Sequence, residues 1–362
     1  MSMYLDKLDY FFDIANSSFK YSFNKHKKLK SSMEIYHDFI KWYMQFEEVD
    51  RTYFLRGNDV GGSNTIVFPT RMCVKIRNEY NNINSGRDYT IILRDKYLFA
   101  KYCAIHNIPT PKTYGLFKNN HLNWLEEPEI GTPLFVKENN GIGGSSLITG
   151  KYLGANKLMC NDITIDMFDL SINKTLLIQE KIHQIKTFQD INEHAVNTLK
   201  LTTTIVNGKV KTHFGFVRFG TSKSGIMDNL NNGSIFVPVN VASGELGEMG
   251  FYKFAYNDPN DIGYAITHPE TSKEIVNFKV PYFTEAKKLV EKSHLCFSDV
   301  YSIGWDIAFT LSGPILIEAN SAWDTSIGQV VAGSNIIEQI FPDNSEIKGF
   351  KNKYQYSLYN LK

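Results

Sequence analysis

Apolar positions change their period along this 362-residue chain, and the changes divide it. In the first ninety residues the spacing is helical. Tyr4, Leu5, Leu8, Phe11, Phe12 and Ala15 recur every three or four positions, and Ser31-x-x-Glu34 forms a capping-box pattern before Ile35, Phe39, Ile40, Tyr43 and Met44. This predicts a mainly helical N-terminal region over residues 1–90. Within it, Arg56-Gly-Asn-Asp-Val-Gly-Gly62 supplies turn formers and no decodable chemistry. A further helix is expected from Leu93 to His106, closed by Asn107-Ile108-Pro109.

From Thr132 onward, strand patterns alternate with helical ones. Leu134-Phe135-Val136 is a short apolar strand ending at Lys137, followed by Glu138-Asn-Asn-Gly-Ile-Gly-Gly-Ser-Ser146. Glycines there let backbone N–H groups approach phosphate oxygens closely, although a glycine-rich loop alone is equally a structural turn. A second apolar run, Leu176 to Ile182, turns polar at Gln179-Glu180-Lys181 and can present backbone groups and Glu180 to a base edge.

Asn207-Gly208, between Thr198–Val206 and Lys209–Phe219, signals a two-residue type I′ hairpin. An uninterrupted register puts Leu199, Leu201, Ile205, Val210, Phe214 and Phe216 on a core face and Lys200, Lys209, Lys211 and His213 on a wet one. Arg218 falls on the apolar side, opposite Asn197, unless a bulge shifts it. A second hairpin is expected from Ile303–Thr310 and Pro314–Asn320, with the loop Leu311-Ser312-Gly313. Pairing Thr310 with Pro314 sets Asp306 opposite Glu318, with Asn320 on the same face as Glu318. Like charges directly opposite each other cost a few tenths to about 1 kcal/mol, so a cation between them makes sense of the pair. Aspartate, glutamate and asparagine oxygens suit Mg²⁺. By spacing alone, the same residues also fit an exposed hairpin with solvated acids.

Composition narrows the classes. At 43% hydrophobic and 14% aromatic, the chain can bury large cores and should divide into two or three domains. Its 39 basic and 38 acidic residues leave a formal charge of +1, with no overall field for nucleic acid or an anionic membrane. Cys73, Cys103, Cys160 and Cys296 are scattered, which argues for reduced thiols rather than a zinc site or a disulfide framework. No apolar run is long enough to span a membrane and the start lacks a signal-peptide layout, so the expected compartment is the cytoplasm.

In order and spacing, these elements resemble the ATP-grasp superfamily over residues 91–335. The resemblance implies an α+β fold in which two α+β subdomains clasp ATP, here following the helical N-terminal region. The small subdomain would be 91–178, the large one 179–335, and 336–362 a C-terminal tail. Asp95-Lys96 before Asn107-Ile108-Pro109-Thr110-Pro111 looks like the opening segment, making Lys96 the first ATP lysine and Lys137 the second. The loop with Gly141, Gly143, Gly144 and Ser145 would close over the triphosphate. Gln179, Glu180, Lys181 and Ile182 would form the adenine hinge, and Asp306, Glu318 and Asn320 would hold Mg²⁺.

The finer resemblance is to the sugar-transfer-associated branch. It rests on Val196-Asn-Thr-Leu-Lys200, Asp228-Asn229, His268-Pro269-x-Thr271, Gly304-Trp-Asp-Ile-Ala308 and Gly313-Pro-Ile-Leu-Ile-Glu318. Two positions depart from relatives. Lys200 stands where the branch usually carries arginine, and Gly304 where the D-alanine ligase branch has one. Neutralising the transferred phosphate would therefore fall to Lys200 or Arg218.

The resemblance implies an ATP-dependent carboxylate–amine ligase working through an acyl phosphate, in which an amine displaces phosphate to leave an amide. It would join an amino acid or amino sugar to a uronic acid or other carboxylate in cell-surface polysaccharide biosynthesis. Partners would be these small, sugar-linked substrates, with no nucleic acid and an open oligomeric state. A kinase on the same fold and a silent nucleotide-binding module share the same residues. A glycosidase would need the two carboxyls to flank a sugar rather than converge on an ion.

Overall fold

The computed structural model describes residues 2–22, 27–61, 68–83, 88–118, 121–141, 148–170, 174–226, 228–253, 263–333 and 335–353. The side chains of Tyr4 and Leu5, together with Gly62, Gly143, Gly144, Ser145 and the tail beyond 353, lie outside the described residues.

Among the described residues, fourteen strands build two seven-stranded sheets. The small sheet comprises β1 (Thr113–Lys118), β2 (His121–Trp124), β3 (Pro133–Glu138), β4 (Ile148–Gly154), β5 (Lys157–Cys160), β6 (Ile163–Asp166) and β7 (Leu176–Glu180), in the order β2-β1-β7-β3-β4-β5-β6. The large sheet comprises β8 (Thr198–Val206), β9 (Lys209–Phe219), β10 (Ile235–Val239), β11 (Gly250–Tyr252), β12 (Tyr264–Ala265), β13 (Ser302–Thr310) and β14 (Gly313–Asn320), in the order β12-β11-β10-β9-β8-β13-β14. Neighbouring strands are antiparallel in both.

Packing explains the division. Leu134, Val136, Tyr152, Leu158 and Ile178 form a core under the small sheet. The large sheet is covered on both faces. Leu199, Leu201, Val217 and Trp305 pack with Phe283, Ala286 and Val290 of helix Phe283–Cys296, and with Phe99 and Cys103 of helix Lys96–Ile105. On the other face, Phe214, Phe216 and Phe236 meet Cys73 and Ile76 of helix Thr70–Tyr80, Trp323, Ile327 and the segment Ile336–Phe341. Helices Ser2–Asn16 and Ser32–Phe46 bury Phe11, Phe39, Trp42, Tyr53 and Phe54 in a cluster of their own. The capping box is present: the Ser31 hydroxyl accepts from Glu34 N–H, and the Glu34 carboxylate accepts from Ser31 N–H.

Four local expectations are corrected. The helix expected over 93–106 is two pieces, Ile91–Arg94 and Lys96–Ile105, because Asp95 turns extended and its carboxylate caps the second. The run expected to continue to Ile182 leaves the sheet after Glu180. In the β8–β9 hairpin, Asn207 and Gly208 take the positive φ of the type I′ turn, but β9 carries a bulge at His213, since Thr202 pairs with Phe214 and Thr203 with Thr212. The extra residue flips everything beyond it, so Phe214, Phe216 and Arg218 share the face of Lys200 and Thr198, and that face is packed rather than wet. In the β13–β14 hairpin, Thr310 pairs with Gly313 over a shorter loop, and a bulge at Ile317 then restores Asp306 opposite Glu318.

Candidate active site

A cleft of about 250 Å³ opens between the two sheets. Its walls bring together Lys96, Lys137, Gly141, Gln179, Glu180, Lys181, Ile182, Lys200, Arg218, Asp306, Glu318 and Asn320, residues spread over more than two hundred positions of sequence.

On the small-sheet side, Lys137 ends the apolar stretch of β3. It is 6% exposed, its ammonium 5.9 Å from the Phe135 ring centroid. Burial pushes its pKa down to about 8, against the pull of Glu318. Phe135 lies two residues earlier and also lines the cleft, a neighbour that the strand period could have identified. Lys96 opens its helix and donates to Gly141 O at 2.8 Å, while Tyr97 N–H donates to Asn139 Oδ1 at 2.9 Å, so the helix start holds the entrance of the glycine-rich loop. Gln179 donates to Thr113 Oγ1 at 3.1 Å. The Glu180 carboxylate accepts from Lys112 N–H at 2.9 Å and Lys181 N–H donates to Pro133 O at 3.0 Å. The Glu180 side chain therefore braces the hinge instead of extending toward a base edge.

On the large-sheet side, the β9 bulge gathers a charge cluster. Lys200 Nζ lies 2.6 Å from Asp306 Oδ1, and Arg218 Nη2 donates to Asp306 Oδ2 at 2.8 Å. Arg218 also lies 3.3 Å from Asp228 Oδ1 and donates through Nε and Nη2 to Thr198 Oγ1. Thr198 in turn donates its N–H and hydroxyl to Asp228 Oδ2. Burial works against every charge here. For Arg218 the two aspartates outweigh it and hold the guanidinium above its ordinary value; for Asp306 the two cations win and hold its carboxyl low. Asp228 goes the other way, because burial raises its carboxyl more than Arg218 lowers it. Asp228 and Thr198 thus have a positioning role that composition and spacing did not reveal.

Glu318 stands opposite Asp306 in the ladder, and Asn320 Nδ2 donates to Glu318 Oε1 at 3.0 Å. The cations facing Asp306 are Lys200 and Arg218, so the like-charge pair is compensated within the protein. Among the described residues, no group of three or more His, Cys, Asp or Glu forms a metal centre. Two carboxylates and an amide oxygen form a different donor set, one that fits Mg²⁺, which takes few protein carboxylates and completes its shell with water and phosphate. At Gly304, where the D-alanine ligase branch is expected to carry an arginine, a Cβ would meet Trp323 Cβ at 2.8 Å, so a side chain there would force Trp323 or the strand to shift. Cations come from β8 and β9 instead.

The sequence matches the model of the sugar-transfer associated ATP-grasp family over residues 75–341. The chain belongs to that family. No curated protein matches it. Among solved structures, it is similar to an L-amino acid ligase from Bacillus licheniformis, at 11% identity and TM-score 0.43, over 73% of this chain and 50% of that one. A D-alanine–D-alanine ligase from Bacillus anthracis complexed with ATP gives 15% identity and TM-score 0.40, over 73% and 69%. An N5-carboxyaminoimidazole synthase from Aspergillus clavatus, in complex with ADP, gives 9% and 0.35, over 64% and 45%. The chain spans half the length of the first of these.

In this ATP-grasp protein the remaining motifs act as scaffold. Asn197 Nδ2 donates to the carbonyls of Phe188 and Asn192, and Asn197 Oδ1 accepts from Gly220 N–H at 3.1 Å. His268 Nε2 bonds to Gly220 O at 2.7 Å, and Thr271 Oγ1 donates to Ile191 O at 2.9 Å. These bonds tie the strand entering β8 to the strand leaving β9, and so fix the ends that carry Thr198 and Arg218.

Proposed function

We propose that the protein is an ATP-dependent carboxylate–amine ligase. The observation that carries this reading is the cleft itself, where a buried, desolvated Lys137, the loop-holding Lys96, the Lys200–Asp306–Arg218 cluster and the Glu318–Asn320 pair converge. Among the described residues that line the cleft there is no cysteine or serine, which suits a reaction that needs charge neutralisation and alignment rather than a covalent enzyme intermediate.

In this reading ATP lies with its base at Gln179–Ile182 and its phosphates at Lys137, Lys96 and the loop from Asn139. Asp306, Glu318 and Asn320 would hold magnesium, which supplies charge neutralisation to the phosphates. Arg218 is fixed by Asp306, Asp228 and Thr198, whereas Lys200 is tied to Asp306 alone among the described residues. Lys200 is therefore assigned to the transferring phosphoryl group and Arg218 to the positioning of Asp306. The acid would accept the phosphoryl group, and an amine would then attack the acyl carbon and expel phosphate. The family's association with sugar transfer supports a substrate from cell-surface polysaccharide biosynthesis, such as an amino acid or amino sugar joined to a uronic acid. A cytoplasmic setting suits an ATP-consuming reaction, and no helix among the described residues is long and apolar enough to cross a membrane.

The test is ADP release over a panel of acids, with and without hydroxylamine. Hydroxamate formation is expected. ADP release coupled to a phosphorylated hydroxyl, without hydroxamate for any acid, would replace this reading with a kinase.

A further inference from the structure

One further cavity adjoins the nucleotide cleft, and a second lies beyond it. One of about 130 Å³ lies over the face of the large sheet that carries Lys200 and Arg218, walled by Phe214, Phe216 and Trp323. It shares Lys200, Arg218 and Asn229 with the nucleotide cleft. The other, of about 640 Å³, opens where residues 43–52, after and within helix Ser32–Phe46, face the starts of helices Thr70–Tyr80 and Thr325–Ala332. It shares Lys253 and Asp324 with the small cavity. The three lie in series, each sharing wall residues with the next, from the phosphoryl end of the nucleotide cleft to the N-terminal helices, most of which precede the family match at residue 75; the Lys253–Asp324 ion pair stands between the two outer cavities.

The chemistry changes along this series. Next to Lys200 and Arg218 it is aromatic. At the junction Lys253 pairs with Asp324, whose carboxylate also caps helix Thr325–Ala332 through Ser326 and Ile327 N–H. The far cavity mixes polar and apolar surface, with hydroxyls from Thr52, Thr70, Thr325 and Ser326 among its lining. Lys7, Arg51, Arg71, Arg77 and Lys253 there outnumber Glu47, Glu48 and Asp324. Lys253 and Asp324 cancel as an ion pair, which leaves Lys7, Arg51, Arg71 and Arg77 against Glu47 and Glu48, the latter accepting from Thr70 and Arg71 N–H at 2.8 and 3.1 Å. The Thr325 hydroxyl is an independent sign: the residue is 1% exposed and lines the cavity, and among the described residues its buried Oγ1 has no hydrogen-bond partner. Buried hydroxyls are normally satisfied, and about 640 Å³ lies within the range of small-molecule sites, roughly 300–1,000 Å³.

We propose that this series of cavities holds the second substrate, and that the substrate is an elongated anionic carbohydrate. Its reacting group lies at Lys200 and Arg218, its middle passes Phe214, Phe216 and Trp323, and its anionic, hydroxylated end occupies the far cavity beside Arg71 and Thr325. The assignment of the reacting end rests on the ligase reading; the anion site itself does not.

Calorimetric titration of the full chain, without ATP, with a glucuronate disaccharide, glucose 1-phosphate and glucose tests the site directly. At least one anionic sugar is expected to bind and glucose to fail, and the anion that binds tells carboxylate from phosphate recognition. Arg71 is exposed in the first turn of its helix, where an acid suits the dipole, so Arg71→Glu should fold and weaken the sugar about tenfold or more. Thr325→Val should weaken it several-fold and yet raise the melting temperature of the ligand-free protein, because an unpartnered buried hydroxyl is removed. A merely structural threonine would lower it. MgATP affinity should be unchanged in both variants. Absence of binding by both anions, or binding indifferent to both substitutions, overturns the proposal. Failure of the ligase reading would show separately, as wild-type protein that neither binds MgATP nor forms hydroxamate.

Discussion

Lys137→Met should make the ligand-free protein more stable and the nucleotide site worse. The lysine is 6% exposed, and burial brings its pKa from 10.5 down to about 8. At ~1.36 kcal/mol per pH unit, holding the ammonium there at pH 7 costs about 3 kcal/mol. Between pH 8 and 10.5 the folded protein binds fewer protons than the unfolded chain, so stability rises with pH through that window as the cost is relieved. Methionine keeps the length and drops the charge. Its advantage should therefore be greatest at pH 7 and below, amounting to a few degrees of melting temperature at roughly 1–2 °C per kcal/mol for a chain of 362 residues, and it should fade toward pH 10.5. MgATP affinity should fall about tenfold or more, since a charge-assisted contact to phosphate is worth about 1.5–3 kcal/mol. Near pH 8 the wild type should also take up a proton as phosphate recharges the lysine, which calorimetry in buffers of different ionisation enthalpy detects and the variant should lack. A variant that melts lower at pH 7 and binds MgATP normally would refute the argument.

Glu318→Gln should reduce ADP release by orders of magnitude and lower the melt modestly, because Lys200 and Arg218 already meet the charge of Asp306 and leave little repulsion to relieve, while buried Lys137 loses its largest electrostatic support. Arg218→Gln should destabilise strongly, by about 3–5 kcal/mol, since it leaves buried Asp228 without its cation and Asp306 with Lys200 alone. Lys200→Gln leaves Arg218 on Asp306, so it should keep the fold and lose turnover; the two melts and one ADP-release assay separate these roles. Ser31→Ala removes the helix cap and should cost about 1 kcal/mol by thermal melt, with MgATP affinity unaffected.

Turn chemistry and helix caps were legible because they are local. Asn207-Gly208 dictates its turn whatever surrounds it, and Ser31 and Glu34 are three residues apart. Bulges were not, because each trades one ladder bond for packing set by distant residues. The β9 bulge decided most, since the parity of one residue, His213, moved Arg218 from the core face to the side of Lys200. Its trace in the sequence is Gly215, where a Cβ would meet Leu201 Cδ2 at 2.4 Å and Lys200 O at 2.8 Å; a glycine inside a strand is the usual mark of such irregularity. In the other hairpin two errors cancelled. The loop is a residue shorter than expected and Ile317 is extra, so Asp306 met Glu318 for a reason the turn did not contain.

Charge placement in the cleft gives the proposed magnesium dependence a physical basis. Asp306 and Asp228 are paired with Lys200 and Arg218, and Glu180 is turned to the Lys112 amide. Lys137 faces the cleft with its charge desolvated and its electrostatic support drawn first from Glu318. A bare triphosphate entering beside Lys137 would also approach Glu318, whose charge no ion pair among the described residues meets, and in a dry cleft like charges repel far more strongly than in water. Binding with a divalent ion at Asp306, Glu318 and Asn320 changes that sign, because the cation satisfies the acids and the phosphates together. Calorimetry of ATP with and without magnesium should therefore show a large loss of affinity in chelator for the wild type. Glu318→Gln should narrow the difference by weakening the magnesium-dependent arm more than the metal-free one. An equal loss in both arms would mean that Glu318 acts on the nucleotide without the ion, and the metal assignment would have to move to other residues.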